Sequence, residues 1–148
     1  MNMKAAVLHG REDIRIEEVE VPEPGSRDVL LKVKAAGICG SDIPRVLGGK
    51  AFFYPLILGH EFSGEVVRTG SRVTRVKPGD RAAGIPLLPC KKCEDCLKGR
   101  YAQCPGYSFI GTKTHGAFAE YVVLPETNVL PLPEGMPYEL GAFVEPVS

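Results

Sequence analysis

The sequence has no excess of positive or negative charge, no long apolar run and no internal repeat. Lysine and arginine together number 18, and aspartate and glutamate also number 18, so the composition does not indicate a surface for nucleic acid or for a membrane. No apolar stretch approaches the roughly 20 residues that a membrane-spanning helix needs. The N-terminus leads directly into a strand pattern, unlike a secretory signal peptide. We therefore expect a cytoplasmic protein with no membrane partner and no nucleic-acid partner.

A glycine-rich dinucleotide-binding motif is also missing. The pair Gly37 and Gly40 and the pair Gly48 and Gly49 do not have the G-x-G-x-x-G spacing that cradles a pyrophosphate. The 148 residues suffice for one domain with its own core, but not for that domain plus a complete nucleotide-binding domain. The sequence therefore predicts a single domain over residues 1–148 without a Rossmann domain.

Turn-forming residues are abundant, with 17 glycines and 13 prolines. This content is typical of a domain in which many short strands are joined by turns. Apolar alternation and turn residues predict a short helix over residues 137–143 and strands over residues 4–8, 14–19, 29–35, 62–68, 81–85, 117–124 and 128–132. The predicted fold class is mostly β, a small and partly open β-barrel with little helix.

Four of the five cysteines are concentrated in one short segment with the spacing C-x2-C-x2-C-x7-C. Thiolates so close in sequence can surround a tetrahedral Zn²⁺. Disulfides are a competing interpretation, but cysteines separated by two residues would strain such pairs, and the total of five is odd. A redox C-x-x-C fits two overlapping copies poorly. We predict a structural-zinc lobe over about residues 89–105, with a closed four-sulfur site formed by Cys90, Cys93, Cys96 and Cys104.

Cys39, His60 and Glu61 form a second candidate group. Taken singly, Cys39 is read as a small buried apolar residue, His60 as a hydrogen-bonded histidine and Glu61 as an ordinary carboxylate. Gly59 and Gly64 frame the His-Glu pair. Glycines permit the close backbone approach and unusual φ that a tight site at a strand end needs. This pattern favours a functional site over three unrelated residues.

Together, these motifs resemble those of the zinc-containing medium-chain dehydrogenases, and the resemblance runs over essentially the whole chain. Within that family it is strongest to the branch of galactitol-1-phosphate 5-dehydrogenases and next to the sorbitol dehydrogenases. The resemblance implies a GroES-like barrel that carries a catalytic zinc, followed in the full-length enzyme by a Rossmann domain that binds NAD. The segments that carry it are residues 39–45, 54–56, 59–64, 86–90 and 109–111.

The resemblance also implies the catalytic residues of the site. Cys39 and His60 match ligands of the catalytic zinc, and Glu145 matches the third-ligand position of the polyol branch. Alcohol dehydrogenases use a second cysteine at that position. Glu61 either coordinates the metal directly or supports its ligands, and the sequence leaves both alternatives open.

Residues 41–45 carry the remaining implied roles, together with one lysine. Ser41 matches the hydroxyl that relays the substrate proton, and otherwise is a serine that caps a turn. Asp42 either accepts the spare N–H of His60 or forms a turn. Pro44 stands where many relatives have a relay histidine, so water is a possible next proton carrier. Arg45 and Lys113 are candidate phosphate contacts, with the Arg45 guanidinium preferred for its bidentate geometry.

The implied reaction is the zinc-dependent, NAD-linked oxidation of a secondary alcohol to a ketone, galactitol 1-phosphate to tagatose 6-phosphate. The implied partner is a small polyol or polyol phosphate, and the full-length enzyme is expected to be a homo-oligomer. Alternatives are a sorbitol-type, threonine-type or other zinc alcohol dehydrogenase, or a non-enzymatic, zinc-stapled GroES-like binding module. A zinc ribbon that binds nucleic acid fits less well, because the cysteine spacing is compressed and the charge is balanced. His9 and His115 have no ligand-spaced companions and are given no role.

Glu145 lies three residues before Ser148, the last residue of the sequence. A frayed end holds a ligand badly. We therefore expect an isolated catalytic domain in which the catalytic zinc is weak or absent while the four-sulfur zinc stays bound. We also expect that this chain alone neither binds NAD nor oxidises galactitol 1-phosphate.

Overall fold

Short strands and shorter helices make up the fold, and the computed structural model describes residues 1–148. The strands are β1 (Asn2–Gly10), β2 (Asp13–Glu20), β3 (Asp28–Gly37), β4 (Leu56–Ile57), β5 (Glu61–Thr69), β6 (Arg81–Gly84), β7 (Leu87–Leu88), β8 (Ser108–Phe109), β9 (Tyr121–Pro125) and β10 (Val129–Pro131). The helices are α1 (Asp42–Val46), α2 (Glu94–Leu97), α3 (Tyr138–Ala142) and α4 (Val144–Val147), and 3-10 turns cover Tyr101–Gln103 and Glu126–Asn128. No helix has both the length and the apolar character needed to cross a membrane.

The central sheet has five antiparallel strands in the order β10-β6-β5-β3-β9. β3 is continuously apolar and buried only over residues 29–31, where both of its faces are covered, and Lys32 and Lys34 interrupt the pattern further along. On β3, Val29 and Leu31 pack into the main core, whereas Leu30 points to a second cluster with Met3 and Val21. The main core consists of Val29, Leu31, Phe62, Val66, Val76, Ala82, Ile110, Ala117, Val122, Leu124 and Val129.

A second sheet of three strands, in the order β2-β1-β4, packs beside the first. Residues 117–120 connect the two sheets. Ala119 forms a single bridge with Ala5, and the Ala6 N–H donates to the Phe118 carbonyl at 2.8 Å. The same stretch of chain then continues as β9 of the five-stranded sheet. The two sheets form a curled, partly open half-barrel, as the sequence predicts.

Most of the predicted elements are present, with shifted ends. The patterns at residues 4–8, 14–19, 29–35, 62–68 and 81–85 correspond to β1, β2, β3, β5 and β6, and the predicted helix corresponds to α3. The strand predicted over residues 117–124 is wrong in its first half, because regular pairing begins only at Tyr121. The chain crosses between the sheets there, so it cannot form a continuous ladder with either one.

Candidate metal centres

The four cysteines predicted to bind structural zinc converge at one point. The Sγ atoms of Cys90 and Cys96 are 3.9 Å apart, and those of Cys93 and Cys104 are also 3.9 Å apart. All four sulfurs lie within 4.8 Å of one another, and none is in a disulfide. A disulfide needs sulfurs about 2.05 Å apart. A zinc tetrahedron with bonds of about 2.3 Å has edges of roughly 3.8 Å. The separations therefore fit a metal site and not a disulfide.

The loop of residues 90–105, here called the metal loop, has few buried side chains apart from its cysteines. Between residues 90 and 105, only Cys96 and Cys104 are buried. The backbone N–H groups of Lys92 and Cys93 lower the pKa of Cys90 to about 6, whereas burial raises the pKa of Cys96 to about 12. Zinc binding would ionise the whole set, because thiolate is the ligand form. The pairing of β7 with β8 joins the two ends of the loop, and the four cysteines bring its interior together.

Cys39, His60 and Glu61 form the second group, and their ligand atoms lie within 4.8 Å of one another. Cys39 follows β3, and Glu61 begins β5, where it pairs with Gly37 of β3. A Cβ atom at position 37 would collide with the Glu61 carboxylate, so glycine at this position leaves the space that the Glu61 side chain occupies. Sulfur, imidazole and carboxylate oxygen are all ligands that zinc accepts.

Gly59 sets the position of His60. Its φ of +97° is one that side chains rarely adopt, and a Cβ there would lie 2.7 Å from Cδ1 of Phe118. His60 is 4% exposed, and its ring makes an edge contact with Phe109 at a centroid distance of 5.6 Å. The glycine turn thus lets a buried imidazole enter the site where β5 begins.

Asp42 lies beside His60 without the hydrogen bond that the sequence suggests. Asp42 Oδ1 is 3.7 Å from His60 Nδ1, longer than a hydrogen bond, and both atoms are buried without a partner. The other oxygen, Oδ2, accepts the Cys39 N–H at 3.1 Å. Burial raises the pKa of Asp42, opposed by the neighbouring His60. Asp42 therefore bonds to the backbone of one candidate ligand, Cys39, and faces the imidazole of the other, His60.

Glu145 approaches the same region from α4 but lies outside the group of three. Burial raises its pKa, which His60 lowers and Glu61 raises, so its carboxyl lies within electrostatic reach of both. The structure therefore brings Cys39, His60 and Glu61 together, with Glu145 at the edge of the group.

Ser63 and Arg81, which no sequence motif identifies, hold the segment that carries Glu145. The Ser63 hydroxyl donates to the Tyr138 carbonyl at 2.5 Å. The Arg81 guanidinium donates to the Met136 carbonyl and lies 3.9 Å above the Tyr138 ring. Ser63 is two residues after Glu61 on β5. The sequence signal is weak, because each contact joins residues more than fifty positions apart.

A cleft of about 420 Å³ opens beside His60 and is lined by Ser41, Arg45, Phe52, Tyr107 and Phe109 among others. Ser41 stands at the N-cap of α1, but its side chain makes no capping hydrogen bond, so its hydroxyl is available to a ligand. Of the candidate phosphate contacts, Arg45 lines the cleft directly.

The two remaining histidines lie away from this cleft. His9 pairs with Glu17 at 2.8 Å. His115 Nδ1 accepts the Ile57 N–H at 3.2 Å, and burial lowers the pKa of His115. Neither belongs to the two groups of possible metal ligands that the structure brings together.

The profile of the alcohol dehydrogenase GroES-like domain family matches residues 25–134. This chain belongs to that family. The matched region of the GroES-like domain contains Cys39, His60, Glu61 and all four cysteines of the metal loop. The resemblance to zinc-containing medium-chain dehydrogenases drawn from the motifs is confirmed.

Known relatives of this GroES-like domain are much longer than the chain. It is 47% identical to galactitol 1-phosphate 5-dehydrogenase of Escherichia coli (strain K12) over 147 residues, 99% of this chain and 42% of that protein. Sorbitol dehydrogenase of Bacillus subtilis (strain 168) is 43% identical over 152 residues, 99% of this chain and 43% of that protein. The crystal structure of galactitol-1-phosphate dehydrogenase from Escherichia coli superposes with a TM-score of 0.95 at 46% identity, covering 98% of this chain and 42% of that one.

A thermostable alcohol dehydrogenase from Pyrobaculum aerophilum, solved with bound cobalt and zinc, superposes on the GroES-like domain with a TM-score of 0.89. The identity is 34%, and the match covers 97% of this chain and 45% of that one. The family fold is therefore shared across alcohol and polyol dehydrogenases, and the chain spans less than half of each.

Proposed function

We propose that this domain is the substrate-side half of a zinc-dependent, NAD-linked dehydrogenase that oxidises a secondary alcohol of a polyol phosphate to a ketone. Galactitol 1-phosphate, giving tagatose 6-phosphate, is the proposed substrate. The observation that carries the proposal is the convergence of Cys39, His60 and Glu61 within 4.8 Å, from two separate segments of the sheet. Similarity to galactitol 1-phosphate 5-dehydrogenase over 99% of the chain supports the choice of substrate.

The residues of the second group fit a catalytic zinc. Cys39, His60 and Glu145 or Glu61 would supply one sulfur, one nitrogen and one carboxylate oxygen, a donor set that leaves a position open for substrate. The buried Nδ1 of His60 faces the buried Oδ1 of Asp42, as expected where an outer carboxylate orients a metal-binding imidazole. When bound, zinc would lower the pKa of the substrate hydroxyl, and NAD would accept the hydride from the carbinol carbon.

The chain's own residues position the alcohol and carry its proton. Ser41 lines the cleft with His60, and its uncapped hydroxyl would accept the proton released by the substrate hydroxyl. Because Pro44 has no titratable side chain, Ser41 would pass that proton to water. Phe52, Tyr107 and Phe109 would restrict water around the reacting carbon.

Metal loading tests the proposal without depending on turnover. In the product of the complete gene, the His60→Ala variant should lose one of two bound Co²⁺ ions, together with the absorption bands of the Cys39 site. The His115→Ala variant is the matched control and should keep both ions. Retention of both ions by His60→Ala would contradict the assignment of His60.

Activity is a second, separate test, carried out on the product of the complete gene and on the 148-residue chain. NAD reduction with galactitol 1-phosphate is expected from the gene product, and should be abolished by His60→Ala but retained by His115→Ala. Absence of turnover with every polyol tested, despite two bound metals, would overturn the proposed reaction.

A second candidate is a sorbitol-type dehydrogenase, favoured by the 43% identity to the Bacillus subtilis enzyme. It differs in substrate and not in the chemistry of the site. Comparison of kcat/KM for galactitol 1-phosphate and for sorbitol distinguishes the two. A higher kcat/KM with sorbitol would make sorbitol, and not the polyol phosphate, the substrate.

A further inference from the structure

We infer that Arg45 and Lys113 form an anion subsite that binds the phosphate of the substrate at one end of the cleft beside His60. The inference rests on the proposed function and deepens it, because it assigns the residues that select a phosphorylated polyol over a free one. It is carried by the unused hydrogen-bond donors of Arg45 and by the aromatic platform that holds Lys113.

Arg45 has a free edge. One of its terminal nitrogens, Nη1, donates to the Ser41 carbonyl, which fixes the guanidinium within the cleft. On the opposite edge neither Nε nor Nη2 makes a hydrogen bond; Nε is buried, so Nη2 is the donor that a ligand in the cleft can reach. Elsewhere in this protein, Arg15 uses that same edge to hold the Asp13 carboxylate with two bonds of 2.8 Å. A phosphate oxygen can accept from the accessible Nη2 in a comparable charge-assisted bond.

Lys113 supplies the second charge. Its Nζ lies 3.7 Å from the centre of the Tyr107 ring and 5.4 Å from that of Phe52, and it donates to the Tyr107 carbonyl at 3.2 Å. Both rings line the cleft that Arg45 also lines. The aromatic faces keep the ammonium at the cleft without neutralising it.

Neither cation is used in an ion pair. Other basic residues, such as Arg68, Lys98 and Arg100, have carboxylate partners at 2.8 Å or less, whereas Arg45 and Lys113 have none within 4.0 Å. Two cations without carboxylate partners, one lining the cleft and the other held against two of its lining rings, attract an anion. Because Arg45 is bonded to the backbone of Ser41, this anion site has a fixed relation to the reacting end of the substrate.

Kinetics of the gene product with and without a substrate phosphate test the subsite. Arg45→Met should lower kcat/KM for galactitol 1-phosphate about 10–100-fold more than kcat/KM for galactitol, mainly through KM. Lys113→Met should do the same to a smaller extent, and Arg45→Lys should recover part of the loss. The control Arg68→Met, which changes an exposed residue, should alter neither value. Equal losses with both substrates would overturn the inference in favour of a structural role.

Binding of inorganic phosphate separates failure of the subsite from failure of the proposed reaction. Calorimetric titration of the metal-loaded protein with inorganic phosphate should give binding that Arg45→Met abolishes and Arg68→Met leaves intact. If no polyol is oxidised but phosphate binding still depends on Arg45, the subsite stands and the reaction must be revised. If phosphate does not bind, or binds equally to Arg45→Met, the subsite is wrong.

Discussion

Asp42 Oδ1 lies 3.7 Å from His60 Nδ1, and neither buried atom has a hydrogen-bond partner. Two unpaired polar atoms facing each other in a protein interior are unusual, because burial without a partner costs about 1–3 kcal/mol. A small movement on metal binding would close the gap into a hydrogen bond. Asp42 also holds the Cys39 backbone, so one carboxylate touches both candidate ligands.

Asp42→Asn should weaken metal binding at this site. The amide oxygen can still accept the Cys39 N–H, but the amide NH2 would then face His60 Nδ1 and favour the tautomer with its proton on Nε2. That tautomer has no free Nε2 lone pair for zinc, so we expect a loss of about 10–100-fold in affinity. Competition with a chromophoric chelator measures the zinc affinity of each variant. Asp13→Asn, in an exposed carboxylate, is the control, and an unchanged affinity in Asp42→Asn would contradict this role.

Arg81→Met should loosen the segment that carries Glu145. Arg81 holds Met136 and Tyr138, and removal of its guanidinium takes away both of these contacts between β6 and the segment that leads to α4. We expect about tenfold weaker zinc binding at the Cys39 site, with zinc at the four cysteines unchanged. Chelator competition resolves the two metals, and Arg68→Met provides the control. Loss of both metals, or global unfolding, would show that Arg81 supports the fold and not Glu145.

Cys104→Ser should release the metal loop and leave the barrel folded. Because only Cys96 and Cys104 are buried between residues 90 and 105, the loop has little apolar burial to replace the metal. Hydrogen exchange should become fast over those residues and stay slow in β3 and β5. Cys39→Ser is the converse control, losing the other metal with the loop protected. Persistent protection of the loop after complete zinc removal would contradict this account.

Local patterns predicted the strands and the four-cysteine site, because their information lies in neighbouring residues. The alternation in β2 and the cysteine spacing are examples. Two-residue strands such as β4 and β7 are too short to show a period. The sequence did not predict the helix α1, because proline usually interrupts a helix. Pro44 lies in the first turn of α1, where proline is tolerated. The contact between Arg81 and Tyr138 could not be predicted from neighbouring residues, since the two residues meet only in the folded sheet.

Glu126 joins the turn after β9 to a distant loop. Its Oε1 accepts the backbone N–H of Thr74 at 2.5 Å and also that of Arg75. The residue is 8% exposed. These two backbone bonds lower the pKa of Glu126 from its usual value of 4.5. Because Val76 of the same loop lies in the main core, the carboxylate helps to close that core.

The lowered pKa makes this contribution dependent on pH. A carboxylate whose pKa is lower in the folded state stabilises the protein fully above its unfolded pKa, and the contribution is lost as pH falls through the folded value. Glu126→Gln should therefore lower the Tm by a few degrees at pH 7, with the difference from wild type shrinking below about pH 4.5. Thermal unfolding measured from pH 7 downwards checks this, and the exposed Glu18→Gln is the control. Because acid releases zinc from all variants alike, the difference in Tm between wild type and variant reports the contribution of Glu126 alone. A difference that stays constant with pH would contradict the charge of Glu126 as the cause.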